Sequence, residues 1–278
     1  MFESHVLVID GYNLLHRARS GFIAGEYSIV FNFFRALRCE IEKHKATRVI
    51  MVVEGTPKRQ LNLDPEYKAN RRIEPGTEKE TKYISFLRQK EIIMGLLKHN
   101  FPVNIMKHDD FEADDTIYNV VKNSTRAIPI TVISTDTDFI QLLEKFDNVK
   151  LYNPVKKTYQ MWPGYPYVCW KALRGDPSDN IPAVLGVRGD KSAEKIVKEE
   201  KILNDFLKED PDRLAQWKKN FEMIEFKDFN RDETMAIETI VGVKSWDKVK
   251  EAFDLFGFKS ITNEKSWNKF TSTFEHLF

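Results

Sequence analysis

His5-Val6-Leu7-Val8-Ile9-Asp10 is an apolar, β-type run that stops on a carboxylate, and the pattern recurs along the chain. Val49-Ile50-Met51-Val52-Val53 stops on Glu54, and Ile130-Thr131-Val132-Ile133-Ser134-Thr135 stops on Asp136 with Asp138 just beyond. In a parallel sheet, strands pointing the same way place their C-terminal ends along one rim, where ligands bind. Acids far apart in sequence then converge there. So many carboxylates repel one another unless divalent cations hold them, which points to a metal-dependent enzyme.

Working outward, helical spacing of Ile29, Phe33, Phe34, Leu37 and Ile41 predicts a helix over Tyr27–His44. A further helix carries Phe86, Leu87, Ile93, Leu96 and Leu97, and a short strand is expected around Val103–Met106. Another helix is opened by Glu112-Ala113-Asp114-Asp115, and a last one lies near Phe139–Leu143. This β-α alternation implies an α/β sheet with right-handed crossovers. From about Met161 the pattern changes to helices joined by turns containing Pro and Gly. The aromatics of the last third, including Trp217, Phe221, Phe226, Trp246, Phe253, Phe256 and Trp267, read as core.

The 278 residues suffice for one large domain or two modest ones. A hydrophobic content of 42% is that of an ordinary globular protein. Net charge is +1, yet residues 1–100 carry 17 Lys+Arg against 12 Asp+Glu, so near-neutrality does not exclude nucleic acid. The two cysteines, Cys39 and Cys169, form no CxxC pair. That argues against a zinc ribbon or disulfide framework and fits a reducing, cytoplasmic compartment. No signal peptide is visible, and no apolar run approaches the roughly 20 residues that span a bilayer, so no membrane partner is expected.

Singly, each acid has a plain reading: Asp10 before Gly11 suits a turn, and Asp136 suits a helix N-cap. Glu112 and Asp115, three apart, share a helix face with Asp114 beside them. Capping accounts for one of the three, but not for all three beside Asp136 and Asp138. Mg²⁺ prefers oxygen ligands and keeps several waters. Two such ions about 4 Å apart can activate a water and stabilise the leaving oxygen of a phosphodiester. His108-Asp109-Asp110 reads instead as a solvated loop.

Between Thr56 and Lys82 the chain is polar and basic. Asp64-Pro65 is a helix-start signal, and a helix from there puts Lys68 and Arg71 on one face with Arg72 beside them. That basic face suits a clamp on a scissile phosphate, and Tyr67 suits either stacking on a base or packing. Further on, Gly175-Asp176-Pro177-Ser178-Asp179-Asn180-Ile181-Pro182 leads to Gly186-Val187-Arg188-Gly189-Asp190-Lys191-Ser192-Ala193. Glycines and a helix start near Lys191 and Ser192 make a phosphate-backbone site. Asp176 and Asp179 could complete the metal site from a second domain.

These residues together resemble the 5′-nuclease superfamily. The resemblance rests on Val8-Ile9-Asp10-Gly11, Tyr67-Lys68-Ala69-Asn70-Arg71, Glu112-Ala113-Asp114-Asp115, Ser134-Thr135-Asp136-Thr137-Asp138-Phe139 and Gly175–Pro182, in order from about residue 5 to 195. That group includes flap endonucleases and the 5′→3′ exonuclease domains of bacterial DNA polymerases. The compact layout is most similar to bacteriophage members of the T4 ribonuclease H type. The resemblance implies a PIN-like nuclease domain over 1–160, with a helical arch or clamp at about 56–82. A helical DNA-binding domain over 161–278 would follow, with a helix–three-turn–helix at about 173–200.

By motif position, Asp10, Glu112, Asp114, Asp136 and Asp138 are similar to metal-site acids, and Asp115 to an outer-shell acid. Asp176 and Asp179 resemble acids of a second metal region, and Lys68 and Arg71 a catalytic basic pair. Gly186, Arg188, Gly189, Lys191 and Ser192 would track the duplex, with Tyr67 and Arg72 as further nucleic-acid contacts. The implied cofactor is two Mg²⁺ (or Mn²⁺) ions. The implied substrates are DNA with 5′ flaps, nicks or single-strand/duplex junctions and RNA–DNA hybrids, cut by a monomer in the cytoplasm (a host's, for a phage protein). Replication proteins are candidate partners.

Two positions depart from the family pattern. Glu54 stands where Asp is usual, leaving direct or water-mediated metal contact open. The hairpin Ala183–Ser192 is about one residue longer than usual, and Arg188 within it could displace the monovalent cation held by many relatives. Two rival readings remain at this point: a PIN-type single-strand ribonuclease, and a non-catalytic DNA-junction binder.

Overall fold

The computed structural model describes residues 4–21, 25–71 and 73–277. Among them, seven strands form one sheet: β1 (Val6–Asp10), β2 (Arg48–Val53), β3 (Asn104–Lys107), β4 (Ile130–Ile133), β5 (Val149–Asn153), β6 (Thr158–Gln160) and β7 (Glu238–Ile240). The order across the sheet is β6-β5-β4-β1-β2-β3-β7. The five central strands are parallel, and β6 and β7 close the edges antiparallel.

The helices through the sheet region are α1 (Gly11–Arg19), α2 (Ser28–His44), α3 (Lys58–Leu63), α4 (Glu78–Asn100), α5 (Ala113–Lys122) and α6 (Ile140–Lys145). Then follow α7 (Tyr167–Arg174), α8 (Asp190–Val197), α9 (Glu200–Lys208), α10 (Pro211–Ile224) and α11 (Arg231–Met235). The chain ends in α12 (Trp246–Leu255), α13 (Lys259–Thr262) and α14 (Glu264–Glu275). No helix among the described residues is long and apolar enough to cross a membrane.

The central strands are apolar throughout because both faces are covered. Leu7, Ile9, Val49 and Met51 pack with α1, α2 and α4 on one face. Val6, Val8, Ile50 and Val52 pack with α5 and α6 on the other. From β1 the chain runs to β2 and β3 on one side, then returns to β4 and β5 on the other. The switch point therefore lies between β1 and β4, where an α/β sheet opens a crevice at its C-terminal rim.

The expected division at residue 160 is not how the last third packs. Helices α7 to α10 build their own apolar clusters beside the sheet, around Val168, Ala172, Leu173 and Ala193. Strand β7, however, extends the sheet edge, and Val249, Phe253, Phe270 and Phe274 join the core under α2. Of the aromatics of this region, Phe226 and Phe253 are buried in the core, and Trp217, Phe221, Trp246, Phe256 and Trp267 are partly buried against it.

Gly55 fixes the approach of two loops at the rim. A Cβ there would stand 1.9 Å from the His108 carbonyl oxygen and 2.4 Å from that of Phe111. The same contact brings Thr56 N–H to the Asp109 carbonyl at 2.8 Å. His108 is thereby buried against Phe111 and Phe229, so only Asp109 and Asp110 of the expected solvated loop reach solvent. Gly55→Ala is expected to cost about 3 kcal/mol, because backbone rather than a flexible side chain must move. Gly95→Ala, with nothing within 4 Å, should instead gain about 0.5–1 kcal/mol as a better helix former. Paired urea titrations measure both; equal midpoints would show that the Gly55 contact is not needed.

Candidate active site

The acids at the strand ends converge on one cleft of about 930 Å³, whose lining includes Asp10, Glu54, Asp114 and Asp136. Register explains the meeting. Asp10 pairs across from Val52, two residues before Glu54, and Ile9 from Ile133, which sets Ser134 beside Asp10. Asp10 makes two contacts at the rim. Its Oδ1 caps α1 by accepting Asn13 N–H at 3.0 Å, and its Oδ2 accepts the Ser134 hydroxyl at 2.8 Å. Glu54 Oε2 accepts Ala113 N–H at 3.0 Å, which anchors it to the start of α5 beside Asp114. Asp136 is not a helix cap; its Oδ1 accepts Asp138 N–H at 2.9 Å in a tight turn.

The electrostatics of this wall are those of carboxylates lacking counter-charge. Burial lifts Asp10 to about 6, with the Asp136 charge adding and the Asn13 and Ser134 hydrogen bonds opposing. Glu54 rises to about 7 through burial and the neighbouring Glu112. Asp114 is pushed well above the carboxylate range by burial, then by Asp136, Asp10 and Glu54. No ion pair reaches Asp10, Glu54, Asp114 or Asp136 among the described residues. These are hard oxygen donors, the chemistry Mg²⁺ takes. Among the described residues no three His, Cys, Asp or Glu side chains are gathered closely enough to hold a metal ion as they stand.

Cations from the chain occupy the opposite wall. The expected helix from Asp64 is absent: Asp64 ends α3, and Ala69–Arg71 is a single 3₁₀ turn. Lys68 has φ +54°, and its N–H donates to the Asp179 carbonyl at 3.1 Å, so a tertiary contact overrides the local helix signal. Asn70 and Asn180 complete the staple, donating to the Pro177 and Glu66 carbonyls at 3.0 and 2.9 Å. Lys68 Nζ then bonds Glu112 and lies 3.8 Å from Asp179, while Arg71 pairs with Asp179. Burial disfavours the Lys68 charge, but Glu112 and Asp179 raise its pKa regardless.

Other expected site residues are engaged by the chain itself. Tyr67 is not a stacking platform: it is buried, and its hydroxyl donates to Glu112 at 2.9 Å and lies 3.3 Å from Asp179. Asp115 turns away from the open cleft; it accepts Lys227 N–H at 2.7 Å and sits 3.5 Å from Arg59. Asp138, Asp176 and Asp179 are each paired with a protein cation, the first two with Lys171. Burial lifts Asp138 against the pull of Lys171. Burial also opposes ionisation of Asp176, yet Lys171 and Ser178 hold it down at about 2. Gly186, Arg188, Gly189 and Lys191 are exposed, with Ser192 half-buried at the start of α8. Gly186 and Gly189 adopt φ +91° and +90°, which turn the loop back on itself. Arg72 lies outside the described residues.

Sequence reasoning missed Asn13, Ser134 and Lys171. Asn13 accepts Thr135 N–H at 3.2 Å and donates to the Thr135 hydroxyl, tying the β1 and β4 rims together. Its position three residues after Asp10 was the available signal for the cap, though not for the bridge. Nothing in a basic residue on a short amphipathic helix marks Lys171 as buried.

Residues 5–165 match a family model described as 5′-3′ exonuclease, N-terminal resolvase-like domain. The chain is 26% identical over 214 residues to the thermostable DNA polymerase I of Thermus thermophilus, covering 71% of this chain and 24% of that protein. It thus spans about a quarter of the length of that relative. Against a 5′-3′ exonuclease of Bacillus subtilis, identity is 26% over 231 residues, 74% of each chain. A solved bacteriophage T5 flap endonuclease, in a pseudo-enzyme–product complex with DNA and metal ions, superposes with TM-score 0.62 at 19% identity. That alignment covers 96% of this chain and 97% of the other, and it shows a shared fold.

Proposed function

Because the chain belongs to the family of 5′-3′ exonuclease N-terminal, resolvase-like domains, we propose that it is a divalent-metal-dependent, structure-specific 5′ nuclease. Its substrates in this reading are phosphodiesters near single-strand/duplex junctions, in flapped or nicked DNA and in RNA–DNA hybrids. One observation carries the proposal: four carboxylates without a protein cation share a cleft with Lys68 and Arg71. Asp10, Glu54, Asp114 and Asp136 would hold Mg²⁺, with Glu112 available once Lys68 turns to a phosphate. When bound, the ion supplies positive charge and Lewis acidity at the scissile phosphodiester.

The chain's own residues do the rest. Lys68 and Arg71 offer an ammonium and a guanidinium to phosphate oxygens, and the Arg71 side chain is 55% exposed and ready to rotate. The loop from Gly186 and the first N–H groups of α8 contact the duplex backbone without reading its sequence. Lys68→Met is expected to lower kcat by about 10²–10³-fold with the fold retained, since a positive charge aimed at the reacting phosphate is lost. Single-turnover cleavage measures this, and a wild-type rate would remove Lys68 from the chemistry.

The reading as a whole is tested with 5′-labelled substrates in Mg²⁺: a flap, a nicked duplex, an RNA–DNA hybrid and single-stranded RNA in parallel. Cuts near the junctions of the first three are expected. Cleavage of single-stranded RNA alone, or of nothing, would overturn it.

A further inference from the structure

The carboxylates around the cleft divide into two electrostatic groups. Asp10, Glu54, Asp114 and Asp136 have no ion pair among the described residues. Asp138, Asp176 and Asp179 do, and Lys171 stands between the first two. The Lys171 side chain is 6% exposed, and its ammonium bridges Asp138 Oδ1 and Asp176 Oδ2, the latter at 2.6 Å.

Asp176 has little left to offer a further ion. Its Oδ1 already accepts the Ser178 N–H at 2.9 Å and the Ser178 hydroxyl at 2.6 Å. Asp179 is paired by Arg71 on Oδ1, with Tyr67 and Lys68 near Oδ2. The backbone that carries Lys171 is anchored. Its helix is fixed by Asn220, which donates to the Ala172 and Pro182 carbonyls at 2.8 Å each. Its departure would leave two acids facing each other without a cation, and breaking one side of a buried pair is strongly unfavourable.

We propose that Lys171 is a resident cation filling the second carboxylate group, so that Asp138 and Asp176 hold the 175–182 turn to the sheet rim instead of ligating a divalent ion. The proposal rests on the reading of the first group as the cation site. A divalent ion entering between Asp138 and Asp176 would meet the ammonium at ion-pair distance, and that repulsion lowers its affinity. The helix–turn unit and the catalytic rim are thereby locked together before any metal arrives.

Isothermal titration with Mn²⁺ alone, on the full chain, separates the possibilities. Wild type is expected to bind one strong equivalent, and Asp176→Asn to keep it at unchanged affinity. Lys171→Met should open a second site, tightening the second equivalent by about tenfold or more. Two strong equivalents in wild type, loss of one in Asp176→Asn, or no second site in a folded Lys171→Met would each overturn the role given to Lys171. No Mn²⁺ binding by wild type would overturn the cation-site reading itself. Circular dichroism checks that each variant is folded; should Lys171→Met unfold, the Asp176→Asn stoichiometry still decides.

Discussion

Asp114→Asn is expected to lower nuclease turnover by about a thousandfold or more, while raising the stability of the cation-free protein by about 1 kcal/mol. Both effects have one cause. The Asp114 carboxylate is pushed up by burial and by four acids around it, and no hydrogen bond or ion pair among the described residues relieves it. The amide keeps the shape and removes one of the repelling charges, so the empty fold relaxes. It also removes a ligand, so the gain in melting temperature that Mg²⁺ gives the wild type should shrink or vanish. Thermal unfolding with chelator and with Mg²⁺, beside flap cleavage, measures all three quantities. An unchanged cleavage rate, or a full Mg²⁺ shift, would place Asp114 outside the cation site.

Stability in a chelating buffer should fall as pH rises from about 4 to about 8, by on the order of 3 kcal/mol. The sign follows from proton counting. Asp10 titrates at about 6 against an ordinary 3.8, and Glu54 at about 7 against 4.5, in both cases chiefly through burial. In that window the folded state holds more protons than the unfolded one, so raising the pH favours unfolding. Asp176, held at about 2, acts in another window: its contribution is present above about 4 and is lost only as pH drops towards 2. Excess Mg²⁺ should flatten the slope, since the ion replaces the protons. Urea midpoints across pH 4–8 that rise instead would contradict the uncompensated state of the acid wall.

The central strands were legible because a strand covered on both faces must be apolar at every position, as in Val6–Ile9 and Val49–Val53. Their terminal carboxylates stood out against that background. The edge strands Thr158–Gln160 and Glu238–Ile240 did not, being three residues long and mostly exposed. Helix α1 was hidden behind Gly11, whose Cβ would stand 2.7 Å from the Val52 carbonyl oxygen. Asp64-Pro65 carried a true local preference that the Lys68–Asp179 backbone contact overrode. The pairing of Lys171 with Asp138 and Asp176 joins residues up to 33 apart, and the tethering of Lys68 by Asp179 joins residues more than 100 apart. No local pattern encodes such partners.

Strand β7 and helix α14 have a bearing on how the molecule is made. Thr273 donates to Glu42 at 2.8 Å, and Phe270 and Phe274 fill the space under α2, over 200 positions upstream. Helix α2 therefore waits, half clothed, until α14 has been made more than 200 positions later. Contacts of such long range slow folding, and while the ribosome is still at work the unfinished β3 border and the bare aromatic floor lie open to unwanted association.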